Sequence, residues 1–516
     1  MTERARIGRR GVLGGAAALT LLPHAAWGAG DPVVQGPAGR WQGTREGGVA
    51  AFRGIRYGAD PTPTRFQPPA PPRPSRETLA ANTYGPTCPQ RGSGTDRRED
   101  CLFLNVWTPE ARAGAKRPVM VYFHGGAYSG GTVVDPLVEG ARLAAAGDVV
   151  VVTVNHRLNA LGYLYLARLD PRFPDSGNVG QLDLVLALQW VRDNIAGFGG
   201  APRRVMVFGQ SGGGAKIATL MAMPAARGLF HAAATMSGQQ VTASGPLNAT
   251  RRAQALLARA KATPAEAATM PVEALIDALA AEDPILGGGV YMGPVLDMRS
   301  LERHPFWPDA HPQARTIPMI LGNTREETRA FIAPDGPVVR GLDWSNLAAR
   351  MAPQLRVDAH PEWVVAQYRA HFPAMTPTDV LYRATTAGRS WPGQVIEADA
   401  MAAAGAAAWV YQLDYGAPLR PGGGAGHTDD IPLVFGTLDA AGSVSGTDAA
   451  ARALSARMMA AFVSLARSGT PGADWPRYTL PRRATMVFDR TSRVMDDPRG
   501  WERELFARFP YVQPGT

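Results

Sequence analysis

Cysteine is nearly absent from this chain: Cys88 and Cys101 are the only two among 516 residues. Neither stands beside a base or a glycine turn that would make it a nucleophile, so thiol chemistry is not expected. No stretch recurs with a period of 20–50 residues and no heptad runs through the sequence, which excludes solenoids and coiled coils. Charged residues make up only 19% of the chain, and the formal net charge is +9. Part of that charge belongs to the first 30 residues, where Arg4, Arg6, Arg9 and Arg10 face Glu3 alone. Elsewhere the runs mix signs, as in Asp96-Arg97-Arg98-Glu99-Asp100. No basic stripe is interleaved with aromatic residues, so no nucleic-acid partner is expected. The apolar run at 12–22 is too short to span a bilayer comfortably.

What is present reads as an ordinary globular chain with many turns, with 45% hydrophobic residues, 58 glycines and 44 prolines. Arg9-Arg10, the apolar run and the small residues around Ala25-Ala26-Trp27-Gly28-Ala29 have the layout of a signal peptide. The paired arginines resemble a twin-arginine export address. The expected organisation is therefore a leader over 1–30 and one domain over 31–516. The product is expected to be periplasmic or secreted, with no stable membrane insertion once the leader is cleaved. An even cysteine count in an exported chain suggests a Cys88–Cys101 disulfide, with two free thiols as the alternative.

Apolar runs at 49–55, 102–107, 118–123, 148–154, 205–208, 318–321 and 406–413 are predicted strands, and 182–195 and 215–223 predicted helices. The Val149-Val150-Val151-Val152 run implies a central strand covered on both faces. Strands alternating with helices give an α/β class with a central, mostly parallel sheet. Ala-rich stretches at 251–282 and 342–370 read as helical insertions that could cover a site.

Gly209-Gln210-Ser211-Gly212-Gly213 fits G-x-S-x-G, with a predicted strand before it and a helix after it. That setting presents Ser211 on a sharp turn at a strand's carboxyl end. Upstream, His124-Gly125-Gly126-Ala127-Tyr128 follows another strand and offers unobstructed backbone N–H groups for an oxyanion, joined by that of Gly212. A serine nucleophile needs a base and an orienting acid. His427 is the last histidine of nine and follows a strand and a Gly-rich loop, in the order serine, acid, histidine. Between them, Asn323-Thr324-Arg325-Glu326-Glu327 offers two adjacent carboxylates that spacing alone does not separate.

These motifs, with Glu99-Asp100-Cys101-Leu102-Phe103-Leu104-Asn105-Val106, Asn155-His156-Arg157-Leu158 and Gly177-Asn178-Val179-Gly180-Gln181-Leu182-Asp183, resemble the type-B carboxylesterase and lipase family over about residues 36–512. The resemblance implies an α/β-hydrolase fold with helical insertions over the active-site gorge, and ester hydrolysis of a small-molecule substrate through an acyl-enzyme, without metal or cofactor. It selects Glu327 as the acid beside Ser211 and His427, assigns the oxyanion donors to Gly126, Ala127 and Gly212, and pairs Cys88 with Cys101. Two departures stand out: Gln210 replaces the family's glutamate, and Gly212 stands where alanine is common. Loss of that carboxylate argues against a cholinesterase. The Gly-Gly-Ala-Tyr loop resembles a type associated with bulky alcohol groups. Amide or carbamate cleavage by the same three residues stays open, because pocket shape reads the leaving group. A silent binding module is disfavoured because all three are present. Tyr128, Phe331 and Trp391 are candidate gorge residues, with core packing as their alternative. Oligomeric state is not readable.

Overall fold

Valine dictates the centre of the molecule. The strand Val150–Val154 is fully buried. Its even-numbered valines pack into one core and Val149 and Val151 into another. The same division holds in its neighbours. Val119, Val121 and Phe123 face one side, Met120 and Tyr122 the other, and Val205 and Val207 oppose Met206 and Phe208. Side chains alternating at period two with both faces apolar require cover on both faces.

The structure, a computed structural model, describes residues 30–92, 94 and 96–515. The expected leader lies outside the described residues except for Gly30. Residues 32–516 form one unit. Its main sheet has eleven strands. In chain order these are β1 (Thr44–Glu46), β2 (Val49–Arg56), β3 (Phe103–Thr108), β4 (Arg117–Phe123), β5 (Val150–Val154), β6 (Gly200–Gln210), β7 (Ala232–Met236), β8 (Met319–Thr324), β9 (Ala408–Leu413), β10 (Ala484–Phe488) and β11 (Arg493–Asp496). Across the sheet they run β11-β10-β9-β8-β7-β6-β4-β5-β3-β2-β1. All neighbours from β10 through to β5 are parallel, and the outer pairs are antiparallel. The mostly parallel sheet expected from the sequence is therefore present. A small separate sheet joins Val33–Gly36, Gly39–Gln42 and Thr78–Ala80.

Helices cover both faces. The first cover includes α1 (Val179–Asn194) and α2 (Gly212–Leu220). An insertion follows with α3 (Leu347–Leu355), α4 (Pro361–His371), α5 (Pro377–Arg389) and α6 (Trp391–Ala403). Then α7 (Ala449–Ser468) packs Met458, Phe462 and Leu465 into the second core. By length and composition α7 could cross a membrane, but half of that stretch is buried inside the molecule. Helices α3 to α5 share a small core of their own, built on Leu347, Met351, Val364, Tyr368 and Leu381.

Two boundaries differ from expectation. Helix α2 starts directly after Ser211 rather than at 215. Its three leading glycines are poor helix formers, but they alone fit against neighbouring backbone there. Strand β8 runs on to Thr324, since Gly322, Asn323 and Thr324 keep parallel pairing with β9. Cys88 and Cys101 are buried free thiols in the structure, so the expected disulfide is not formed. The two thiols contact each other, and burial together with that contact raises the Cys101 thiol well above its ordinary value.

The loop after β5 is tied to α1 by an ion pair buried on both sides. Arg157 donates to Asp183 through Nη2 at 2.6 Å and Nε at 2.9 Å, and Asp183 also accepts the Arg157 backbone N–H at 3.0 Å. Removing one partner strands the other charge. Asp183→Ala is expected to cost about 3–5 kcal/mol, read as a lower urea midpoint, and an unmoved midpoint refutes this.

Candidate active site

Ser211 sits where β6 ends and α2 begins, with φ 56° and ψ −123°. A non-glycine residue holds that conformation only when its surroundings impose it. Three neighbours do so. The Ser211 N–H donates to Met236 O at the end of β7 at 2.7 Å, the Ala215 N–H donates back to Ser211 O, and Gly238 presses against the same carbonyl. A Cβ on Gly238 would lie 1.9 Å from Ser211 O.

Glu327 and His427 come from the ends of β8 and β9, beyond β7, whose end carries Ser237. Glu327 follows β8, and His427 follows β9 and the loop of Gly422, Gly423 and Gly424. The carboxylate of Glu327, fully buried, reaches His427 Nδ1 through Oε2. Its other oxygen accepts from Ser237 Oγ at 2.6 Å, the Thr324 N–H at 2.7 Å and Asn323 Nδ2 at 3.1 Å. Burial alone would raise this carboxyl. The imidazole and these donors outweigh it and hold the group below its ordinary value, hence ionised. The neighbouring Glu326 instead pairs with Arg329 at 2.9 Å. The two carboxylates that spacing left equivalent are thus separated by their partners.

The other ring nitrogen, His427 Nε2, lies 3.1 Å from the Gln210 side-chain amide nitrogen. With that amide as donor, Nε2 is an acceptor and the ring proton sits on Nδ1, toward Glu327. No hydrogen bond joins Ser211 to His427 among the described residues. Both instead line one cavity of about 410 Å³, together with Ala127, Gly212, Phe331 and Arg389.

The loop after β4 closes against this turn. Ala127 has φ 54° and Gly126 φ 87°. A Cβ at position 212 would lie 2.1 Å from Ala127 O, so glycine is required there while the loop stays this close. This accounts for Gly212 where alanine was the expected residue. Ala127 and Gly212 line the main cavity, whereas Gly126 lines an adjoining hollow with Ser129 and Tyr291.

Of the three candidate gorge residues, only Phe331 lines the main cavity, half exposed, its ring centred 5.0 Å from that of His427. Tyr128 is buried against Tyr163 and donates to Gln240. Trp391 lines a separate hollow of about 250 Å³ with Phe506 and Tyr511, away from Ser211.

Lys216 was not anticipated. It lies in α2, fully buried, and donates to Ala127 O at 2.8 Å and His124 O at 3.2 Å. Burial lowers its amine to about 7. A neutral amine has two N–H donors, matching these two carbonyls. A lone lysine in an apolar helix carries no sequence signature of this role. Ser237 was also missed, since no motif marks a serine that supports an acid 90 residues away.

Residues 30–503 match the family model described as the carboxylesterase family. The para-nitrobenzyl esterase of Bacillus subtilis (strain 168) is 33% identical over 497 residues, covering 92% of this chain and 98% of that protein. A fumonisin B1 esterase of Sphingopyxis macrogoltabida is 32% identical over 84% of this chain and 82% of its own length. The crystal structure of a Geobacillus stearothermophilus carboxylesterase at pH 6.2 superposes with a TM-score of 0.81 at 35% identity, over 92% of this chain and 99% of that one.

Lys216→Met keeps the helix but leaves the Ala127 carbonyl without its donor. It is expected to destabilise the protein by about 1–3 kcal/mol, measured as a fall in the urea midpoint. A midpoint equal to wild type would show that Lys216 does not hold the loop.

Proposed function

The chain belongs to the carboxylesterase family, and on that premise we propose that this serine carboxylic ester hydrolase works through an acyl-enzyme formed on Ser211. The observation that carries this reading is the buried contact between Glu327 and His427 Nδ1 at the wall of the cavity that Ser211 lines. Ser211 Oγ attacks the ester carbonyl carbon while its proton passes to His427 Nε2. The carbonyl oxygen becomes an oxyanion, held by the backbone N–H groups of Gly126, Ala127 and Gly212. Collapse breaks the carbon–oxygen bond, and the leaving alcohol takes the proton from His427. Water then attacks the acyl carbon and gives a proton to His427. The acid departs and Ser211 recovers its proton. Glu327 stays ionised throughout, fixing the tautomer and stabilising the imidazolium.

Gln210 gives this cycle a particular constraint. Its amide donates to the nitrogen that must receive the serine proton, so that donation is released as Nε2 takes up the proton. A carboxylate at the same place would accept from a protonated Nε2 instead. Export under the Arg9-Arg10 leader belongs to the same proposal and rests on the residue pattern of 1–30.

Ser211→Ala is expected to lower kcat on para-nitrophenyl acetate by on the order of 10⁴–10⁶. Turnover near wild type by that variant sinks the assignment. Gln210→Glu places a negative charge beside the base. The acid limb of its kcat/KM profile should move to higher pH by about one unit or more, and an unshifted limb removes the role given to Gln210.

A further inference from the structure

The cavity at Ser211 contains two guanidinium groups that ester hydrolysis does not require. Arg389 ends α5, and Arg356 follows the last residue of α3 in a left-handed conformation with φ 60°. Both come from the insertion that carries its own small core. Neither has a hydrogen-bond or ion-pair partner among the described residues, and the charge of Arg356 acts on Arg389. Among the described residues the one carboxylate lining the same cavity, Asp283, is committed elsewhere: it accepts from Arg252 Nε at 2.7 Å and from the N–H groups of Ile285, Leu286 and Tyr291. Glu327 is saturated by His427, Ser237, Thr324 and Asn323.

What holds Arg389 in place does not neutralise it. Its guanidinium lies 4.3 Å from the centre of the Phe331 ring, and that ring in turn packs on His427. The carbonyl end of α5 favours a cation there. Burial and the charge of Arg356 lower its value to about 10, so it stays protonated at neutral pH. Glu327 acts on Arg389 only from a distance, so two like charges sharing a cavity repel each other, and a bound anion relieves that repulsion while its own desolvation is offset by two forked donors.

We propose that Arg356 and Arg389 form an anion subsite beside the scissile bond, so that this enzyme favours carboxylic esters bearing a second, free carboxylate. The inference rests on the reading of Ser211 as the nucleophile. Since Arg389 is one aromatic ring away from His427, the carboxylate and the ester are joined by a short linker. Acyl-side and alcohol-side carboxylates are the two sources of the same recognition.

The test measures kcat/KM for three esters: neutral methyl pentanoate, monomethyl glutarate with its anion on the acyl side, and the butyric ester of glycolic acid with its anion on the alcohol side. At least one anionic ester is expected to exceed the neutral one by on the order of 10- to 100-fold, and the ester that does so assigns the side. Arg389→Gln should reduce that ratio about 10-fold or more, mainly through KM, while Arg389→Lys retains most of it. Arg356→Gln, at an exposed position, should reduce it independently, and raising the salt should weaken it in wild type. Labelling of Ser211 by a fluorophosphonate checks that each variant is folded. Preference for the neutral ester, or a ratio that Arg389→Gln leaves unmoved in a labelled protein, overturns the subsite and leaves the Ser211 reading intact. If no ester is cleaved and wild-type Ser211 is not labelled, the Ser211 reading falls and the subsite with it.

Discussion

Everything at this site depends on a backbone forced into a left-handed conformation at Ser211. The strain is imposed from several sides. Strand β6 delivers the serine between β4 and β7, the Ser211 N–H is fixed by the end of β7, and the glycines at 209, 212, 213 and 238 let four stretches of backbone approach within distances no Cβ allows. Such a conformation costs on the order of 1–3 kcal/mol and persists only where the surroundings over-determine it. A sheet whose inner strands are apolar on both faces supplies that rigidity. The same geometry starts α2 at once, directly after Ser211.

The close approach has an electrostatic consequence. Drawing the 126–127 loop against Gly212 buries the carbonyls of His124 and Ala127, and buried carbonyls need donors. Lys216 supplies them from one turn into α2. An ammonium would be costly in that setting, and the lowered value of its amine reflects this. Glycine at 212 and lysine at 216 are therefore parts of one arrangement: the first allows the loop in, and the second satisfies the groups that move inward with it. Gln210 fits the same pattern, since a neutral amide beside His427 adds no charge to a region where Glu327 is the buried anion and the outer wall is cationic.

The sequence made legible those parts of the site that local backbone chemistry constrains. A glycine-bounded serine between a strand and a helix, a glycine loop after an earlier strand, and an acid and a histidine after later strands all leave short marks. The Val-rich runs marked the sheet, because a strand covered on both faces has few other compositions. Residues that act across long sequence separations left none. Ser237 supports Glu327, Lys216 supports Ala127, and Arg389 reaches the cavity through Phe331, each through contacts between elements whose order across the sheet is not encoded locally. Tyr128 and Trp391 show the limit from the other direction: nearness to a motif in sequence did not bring them into the cavity, because one turns into the core and the other faces a different hollow. The cysteines show it again, since nearness in space is legible in part but oxidation state is not.

The division of labour follows from where the cores lie. Ser211, Glu327 and His427 follow the ends of β6, β8 and β9 of one sheet, and their geometry is held by packing on both of its faces. The helices α3 to α5 have their own small core and meet the site chiefly through Arg389, whose guanidinium lies over Phe331 in the turn after β8. An element that packs largely on itself can change its exposed residues without disturbing the sheet, whereas a change at Gly212 or Gly238 displaces backbone next to Ser211. The insertion and the sheet thus bring separate side chains to one cavity. Phe331 is the point at which they touch. Its ring centre lies 5.0 Å from that of the His427 ring and 4.3 Å from the Arg389 guanidinium, so the two groups are linked through one aromatic ring. On the proposed subsite, Arg356 and Arg389, which have no hydrogen-bond or ion-pair partner among the described residues, bear on which ester reaches Ser211.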